Sequence, residues 1–186
     1  ARFKVGGCQA LSFKPKLALS VTGPRQVTTG KHPGVRAQVN QTGIGEAGIE
    51  KAVVRLPKSI ALDPDNAQAL CEFEAGTKPD LENHCPKGSI GGRARAKTPL
   101  LRNDLAGDVY FVKNVRKDPT TGNLIRTLPM IVVALRGEIA INLVGESSTT
   151  KAGRLVNTFA SVPDAPIGQF NLNISGGPNG ILAVTR

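Results

Sequence analysis

Hydrophobic residues in this chain fall largely on every second position. Leu11, Phe13, Leu17, Leu19 and Val21 occupy odd positions, with Ser12, Lys14, Lys16 and Ser20 between them. Such alternation predicts a strand with one buried and one wet face. Pro15 interrupts the run and has no amide to donate, which places this strand at a sheet edge or on a bulge. Val35, Ala37 and Val39 alternate with Arg36, Gln38 and Asn40, and Ala52, Val54 and Leu56 alternate with Val53 and Arg55 until Pro57. Further strand-like runs cover 89–97, 108–114, 128–135, 138–144, 154–162, 168–175 and 180–184. Turn signals such as Thr121-Gly122-Asn123, Arg136-Gly137 and Gly176-Gly177-Pro178-Asn179-Gly180 separate them. At most one short helix is expected, within 65–71, with Asp65 or Asn66 as N-cap. About ten short strands at this spacing predict an all-β chain built as an antiparallel β-sandwich of jelly-roll or Ig-like kind, with a closed barrel as the alternative. Residues 1–186 form one domain in this reading, and 1–9 serve as a linker or an exchanged N-terminal strand.

Charge changes the picture more than composition does. The net charge is +10, and it is uneven. Residues 1–45 hold seven Lys/Arg and no Asp or Glu, 46–85 hold eight acids and four bases, and 86–128 hold nine bases and three acids. A basic surface attracts polyanions. Lys4, Lys14, Lys16, Arg25, Lys31 and Arg36 are the candidate contacts, and Lys14 and Lys16 are placed together on the wet face of one strand. No Lys/Arg run with interleaved aromatics marks a specific nucleic-acid face, and a solvated, solubility-giving surface is the competing explanation. The longest strongly apolar run, 128–135, is far short of the ~20 residues of a membrane span.

Three cysteines are present. Cys71 and Cys85 flank an acidic, Pro/Gly-containing loop and form the natural pair, since closing a loop of this size stabilises by about 3 kcal/mol on the chain-entropy argument. That pairing implies an oxidising, extracellular or cell-surface setting, against the alternative of three reduced thiols in a cytosol. Cys8 is then unpaired or paired outside the chain. His84 beside Cys85, with His32 as the other histidine, falls short of the four ligands of a zinc site. Asp63-Pro64-Asp65-Asn66 and Asp80-Leu81-Glu82-Asn83 match no calcium loop and are good turn formers. No metal, cofactor or catalytic residue is assigned, and the chain reads as non-enzymatic.

The order of motifs adds a resemblance. Cys8, Phe13-Lys14-Pro15-Lys16-Leu17, Leu56-Pro57, Cys71, Cys85-Pro86-Lys87-Gly88-Ser89, Thr98-Pro99-Leu100-Leu101, Leu105-Ala106-Gly107-Asp108-Val109-Tyr110, Ala134-Leu135-Arg136-Gly137, Val162-Pro163-Asp164-Ala165-Pro166 and Gly176-Gly177 follow one another along nearly the whole chain. The set resembles a β-rich module repeated in large secreted or cell-surface proteins of actinobacteria. The resemblance implies location and architecture, not an activity. It also implies a further cysteine beyond the last strand as partner for the position of Cys8, which this sequence does not contain. Three functions follow as expectations. The first is a structural or adhesive module of the cell envelope, self-associating into a fibre or held by neighbouring domains. The second is a binding module for an anionic cell-wall or extracellular polysaccharide. The third is a cell-wall enzyme whose site is not legible in sequence.

Overall fold

The computed structural model describes residues 10–23, 25–42 and 45–185. Its strands are β1 (Lys16–Thr22), β2 (Gly34–Asn40), β3 (Ala52–Arg55), β4 (Ile60–Leu62), β5 (Ile90–Lys97), β6 (Leu105–Lys117), β7 (Leu124–Leu135), β8 (Ile141–Thr149), β9 (Leu155–Phe159), β10 (Gln169–Ile174) and β11 (Leu182–Val184). Nine of them make one antiparallel sheet in the order β1-β2-β10-β5-β6-β7-β8-β9-β3, and β4 with β11 makes a separate ribbon. The antiparallel all-β expectation holds. The strands do not divide into two facing sheets, because the ladder is unbroken from β1 to β3. The sheet instead curls around one core, so that Leu17 on β1 and Ala52 and Val54 on β3, its two edges, line the same cavity. The ribbon joins that core through Ile60, Leu182 and Val184.

Strands β6 and β7 explain the long apolar run. Val109, Phe111, Ile131, Val133 and Leu135 face the main core. Tyr110, Val112, Met130, Val132 and Ala134 face the other way, into a second cluster with Cys71 and Leu81. A strand buried on both sides reads as continuous hydrophobicity rather than alternation.

The second face is covered by 71–90. The Cys71–Cys85 disulfide is present. β5 begins at Ile90, opposite Tyr110, and Cys71 takes over the free edge of β6 beyond that point. The Cys71 amide donates to the Phe111 carbonyl at 2.9 Å, and the Lys113 amide donates to the Cys71 carbonyl at 2.8 Å. The α-helix of this region is α1 (Phe73–Gly76), just past the expected segment 65–71, at whose start Pro64–Asn66 forms a single 3-10 turn. Two interactions displace it. The Asn66 amide is used to hold the Pro178 and Gly180 carbonyls, at 2.9 and 2.8 Å, and Cys71 is drawn out straight by pairing with β6. A Cβ at Gly76 would collide with the Val112 side chain, so α1 lies on the sheet at a distance only glycine allows. Leu81 is 0% exposed, with Phe73 and Ala75 packed nearby. The loop is held by packing as well as by its disulfide.

Arg136, at the end of β7, clamps this cover in place. Its Nε and Nη2 donate to the two carboxylate oxygens of Glu82 at 2.7 and 2.6 Å, and Nη2 also donates to the Pro79 carbonyl at 2.9 Å. Its Nη1 donates to the Leu135 carbonyl and to Asn142 Oδ1, both at 2.9 Å. The bidentate Arg136 contact holds the Glu82 carboxyl below its ordinary value of 4.5.

The expected buried face of β1 is not found. Leu17, Leu19 and Val21 point to the core side yet are 59%, 40% and 42% exposed. β1 is an edge of an open curl, and no layer lies over it among the described residues. Lys14 precedes the strand rather than sharing its outer face with Lys16.

Two outcomes follow. Replacing Cys71 and Cys85 together by Ser should lower the unfolding free energy by about 3 kcal/mol, read from urea melts. Because Glu82 titrates lower in the folded chain than in the unfolded one, its contribution is complete above about pH 4.5 and is lost as pH falls through the folded value. Stability should therefore decline on acidification below that pH, and Glu82→Gln should remove part of the decline.

Candidate functional site

The outer face of β1, β2, β10, β5 and β6 carries the side chains that alternate with the core set. Inward residues are Val35 and Ala37 on β2, Phe170, Leu172 and Ile174 on β10, and Ala94 and Ala96 on β5. Their neighbours must then point outward. Register aligns these outward residues into rows. Ser20, Arg36, Asn173, Arg93 and Asp108 form one row across five strands. Ala18, Gln38, Asn171, Arg95 and Ala106 form the next. Lys16, Asn40, Gln169 and Lys97 form the third. Rows lie about 7 Å apart and strands about 5 Å apart, so Arg36 and Arg93 stand roughly 10 Å from each other across β10.

Amides stitch the middle of this surface. Arg36 Nε donates to Asn173 Oδ1 at 2.9 Å, Gln169 Nε2 to Asn40 Oδ1 at 2.9 Å, and Asn171 Nδ2 to Gln169 Oε1 at 3.0 Å. The cations flank the amides. Arg93 lies 3.4 Å from Asp108 and Arg95 lies 3.7 Å from Asp104, yet the two arginine side chains are 85% and 66% exposed. Lys16, Arg36, Arg93, Arg95 and Lys97 thus face two carboxylates, Asp104 and Asp108. Over Ala106 and Gly107 the surface sinks into a shallow depression of about 440 Å³, lined by Arg93, Arg95, Asp108, Asn171 and Asn173. Gly107 has no space for a side chain, because a Cβ there would collide with the Ala134 carbonyl.

Of the candidate polyanion contacts, Lys16 and Arg36 belong to this face. Lys14 lies ahead of β1, and Arg25 and Lys31 lie in the connection between β1 and β2, where Arg25 takes a φ of 68°. They are not gathered with the other two by sheet register. Lys4 and Cys8 lie outside the described residues. The missed members are Arg93, Arg95 and Lys97, with the amides of β10. Their signal was legible as Arg93-Ala94-Arg95-Ala96-Lys97, a basic alternating run, but nothing local shows that β10 brings β5 beside β2.

The other polar groups singled out in the sequence are engaged in holding loops. His32 Nε2 lies 3.0 Å from Asp63 Oδ2, and His84 Nε2 lies 3.3 Å from Asp80 Oδ2. Asn83 and His84 hold the exposed Asp80 carboxyl below its ordinary value. Among the described residues, no three of His, Cys, Asp and Glu gather as a metal site would require. No helix among them is long and apolar enough to cross a membrane. No family model, no curated protein and no solved structure matches the chain.

Arg93 and Arg95 are held by exposed ion pairs, which contribute about 0–1 kcal/mol each. Replacing both by Ser should move the urea midpoint little, showing side chains free to engage a ligand rather than committed to the fold.

Proposed function

We propose that this chain is a non-enzymatic module of the extracellular space or cell envelope whose working surface binds an anionic polysaccharide. The observation that carries the reading is the array of five cations interleaved with hydrogen-bonding amides on the outer face of β1, β2, β10 and β5. Spaced guanidinium and ammonium groups attract a line of carboxylates or sulfates, and the amides donate to and accept from hydroxyls between them. A shallow, open surface suits a polymer lying across it, whereas a small substrate needs a concave site that buries most of its area. The disulfide supports the extracellular setting. Membership of the actinobacterial module type rests on the order of sequence motifs and stays part of this proposal.

A fibre or adhesive unit is the companion reading. Its support is the exposed apolar edge of β1. Sedimentation of the intact chain over a range of concentrations tests it: a monomer throughout removes it.

The test of polymer binding uses polygalacturonate and heparin as probes, with neutral dextran as control. Affinity for the anionic polymers should fall steeply with salt, because exposed charges are screened within ~10 Å at 0.1 M. Arg93→Glu with Arg95→Glu should weaken binding by at least about tenfold, and Lys14→Glu should leave it nearly unchanged. Equal binding to dextran, or full binding by the double variant, would exclude this surface.

A further inference from the structure

β1 and β3 are the two edges of the curled sheet, each paired on one side only among the described strands. Every neighbouring pair between them is antiparallel, and nine is an odd number, so the two edges run in the same direction. They meet below β1 through a parallel bridge between Ser12 and Glu46, where the Ala47 amide donates to the Ser12 carbonyl at 2.8 Å. No backbone hydrogen bond joins β1 itself to β3 among the described residues. Between these edges the core is open. Leu17 shares a cavity of about 90 Å³ with Ala52 and Val54, and Leu19 shares one of about 50 Å³ with Val54 and Leu182.

Antiparallel pairing cannot join two edges that run the same way. It can join both to a single strand laid between them in the opposite direction. Such a strand would bring the count to ten and restore strict up-and-down alternation around the curl. We propose that the opening between β1 and β3 is a docking site for one extended segment of a different polypeptide, in which apolar residues alternate with acidic ones.

The two faces of the opening set that chemistry. Side chains pointing inward would meet Leu17, Leu19, Ala52 and Val54 and must be apolar. Side chains pointing outward would lie beside Lys16 on one flank and Lys51 and Arg55 on the other, all exposed. Opposite charges on adjacent strands stabilise the pairing and like charges oppose it. Backbone bonds then give affinity, and the alternating side chains give selectivity. A second copy of this chain suits the opening poorly. Its alternating strands are already paired, and residues 1–9 carry Arg2 and Lys4 with no acid.

The experiment uses the intact chain and three labelled, end-blocked peptides. One is a heptapeptide alternating Val with Glu, one alternates Val with Lys, and one has the sequence of residues 1–9. Fluorescence anisotropy gives affinity, and amide hydrogen exchange locates the contact. The acidic peptide should bind at least about tenfold more tightly than the lysine peptide, with slowed exchange confined to β1 and β3. Leu17→Asp and, separately, Leu19→Asp should each weaken binding by about tenfold while the circular dichroism stays that of the parent. Tighter binding of the 1–9 peptide would overturn the proposal in favour of the chain's own segment. Concentration-dependent dimerisation that protects β1 without any peptide would overturn it in favour of a second copy. Binding of the acidic peptide without protection of both edges, or no binding of any peptide, would overturn it outright.

Discussion

The packing of 71–90 onto the back of β6 and β7 is the contact on which the rest of the structure depends. Those two strands carry apolar side chains on both faces, so a sheet curled around one core leaves half of them in water. Fully burying a side chain such as Val, Ile or Met is worth about 1.5–3 kcal/mol, and several are involved. The covering segment has little regular structure with which to hold itself in place. The disulfide fixes its ends, Cys71 lends its backbone to β6, and Arg136 grips Glu82 and Pro79. Each of these restraints is modest, and together they place a small apolar surface over the one part of the sheet that needs it.

The two sides of the sheet consequently do different work. Around β6 and β7 both faces are dry and serve stability. Toward β10 and β2 only the inner face is dry, and the outer face, continued by Lys16 of β1, is left to Arg, Lys, Asn and Gln. Side chains on strands are placed by register to within a fixed lattice, so a polar face of this kind is a rigid set of charges without any loop to order. The edges differ again. The apolar residues of β1 continue the inner face past the point where anything covers them, so the sheet ends in hydrophobic rather than charged positions. Edge strands of soluble proteins are usually guarded by charge, proline or bulges. Here Pro15 stands just before β1, and Lys16 is the only charge within the strand.

Period two, with strand-like runs bounded by turn signals, located ten of the eleven strands among the described residues, the half-buried ones by alternation and β7 by its continuous apolar run. It missed β4, whose three residues are too few to show a period. It misplaced the helix, because Asn66 looks like a cap from sequence and acts as a loop tie in three dimensions. The disulfide was readable from composition and spacing. The polar face was half readable: Lys16 and Arg36 came from charge, and Arg93, Arg95 and Lys97 were visible as a pattern without a position. What no local pattern encodes is adjacency between strands far apart in the chain. Alternation shows which way Leu17 points, but not that the described residues leave it more than half exposed.

That adjacency has a consequence in time. β10 lies between β2 and β5, so among the described strands β1 and β2 join the sheet only through residues 169–174. A nascent chain makes the β1–β2 hairpin first and must then hold it unattached until residues 169–174 have appeared. A two-stranded hairpin alone is marginal in water. Contacts this distant in sequence also pay a large loop-closure entropy before they return anything, which slows folding. The architecture therefore favours a chain that closes this side of its sheet in a late step, once β10 has been made.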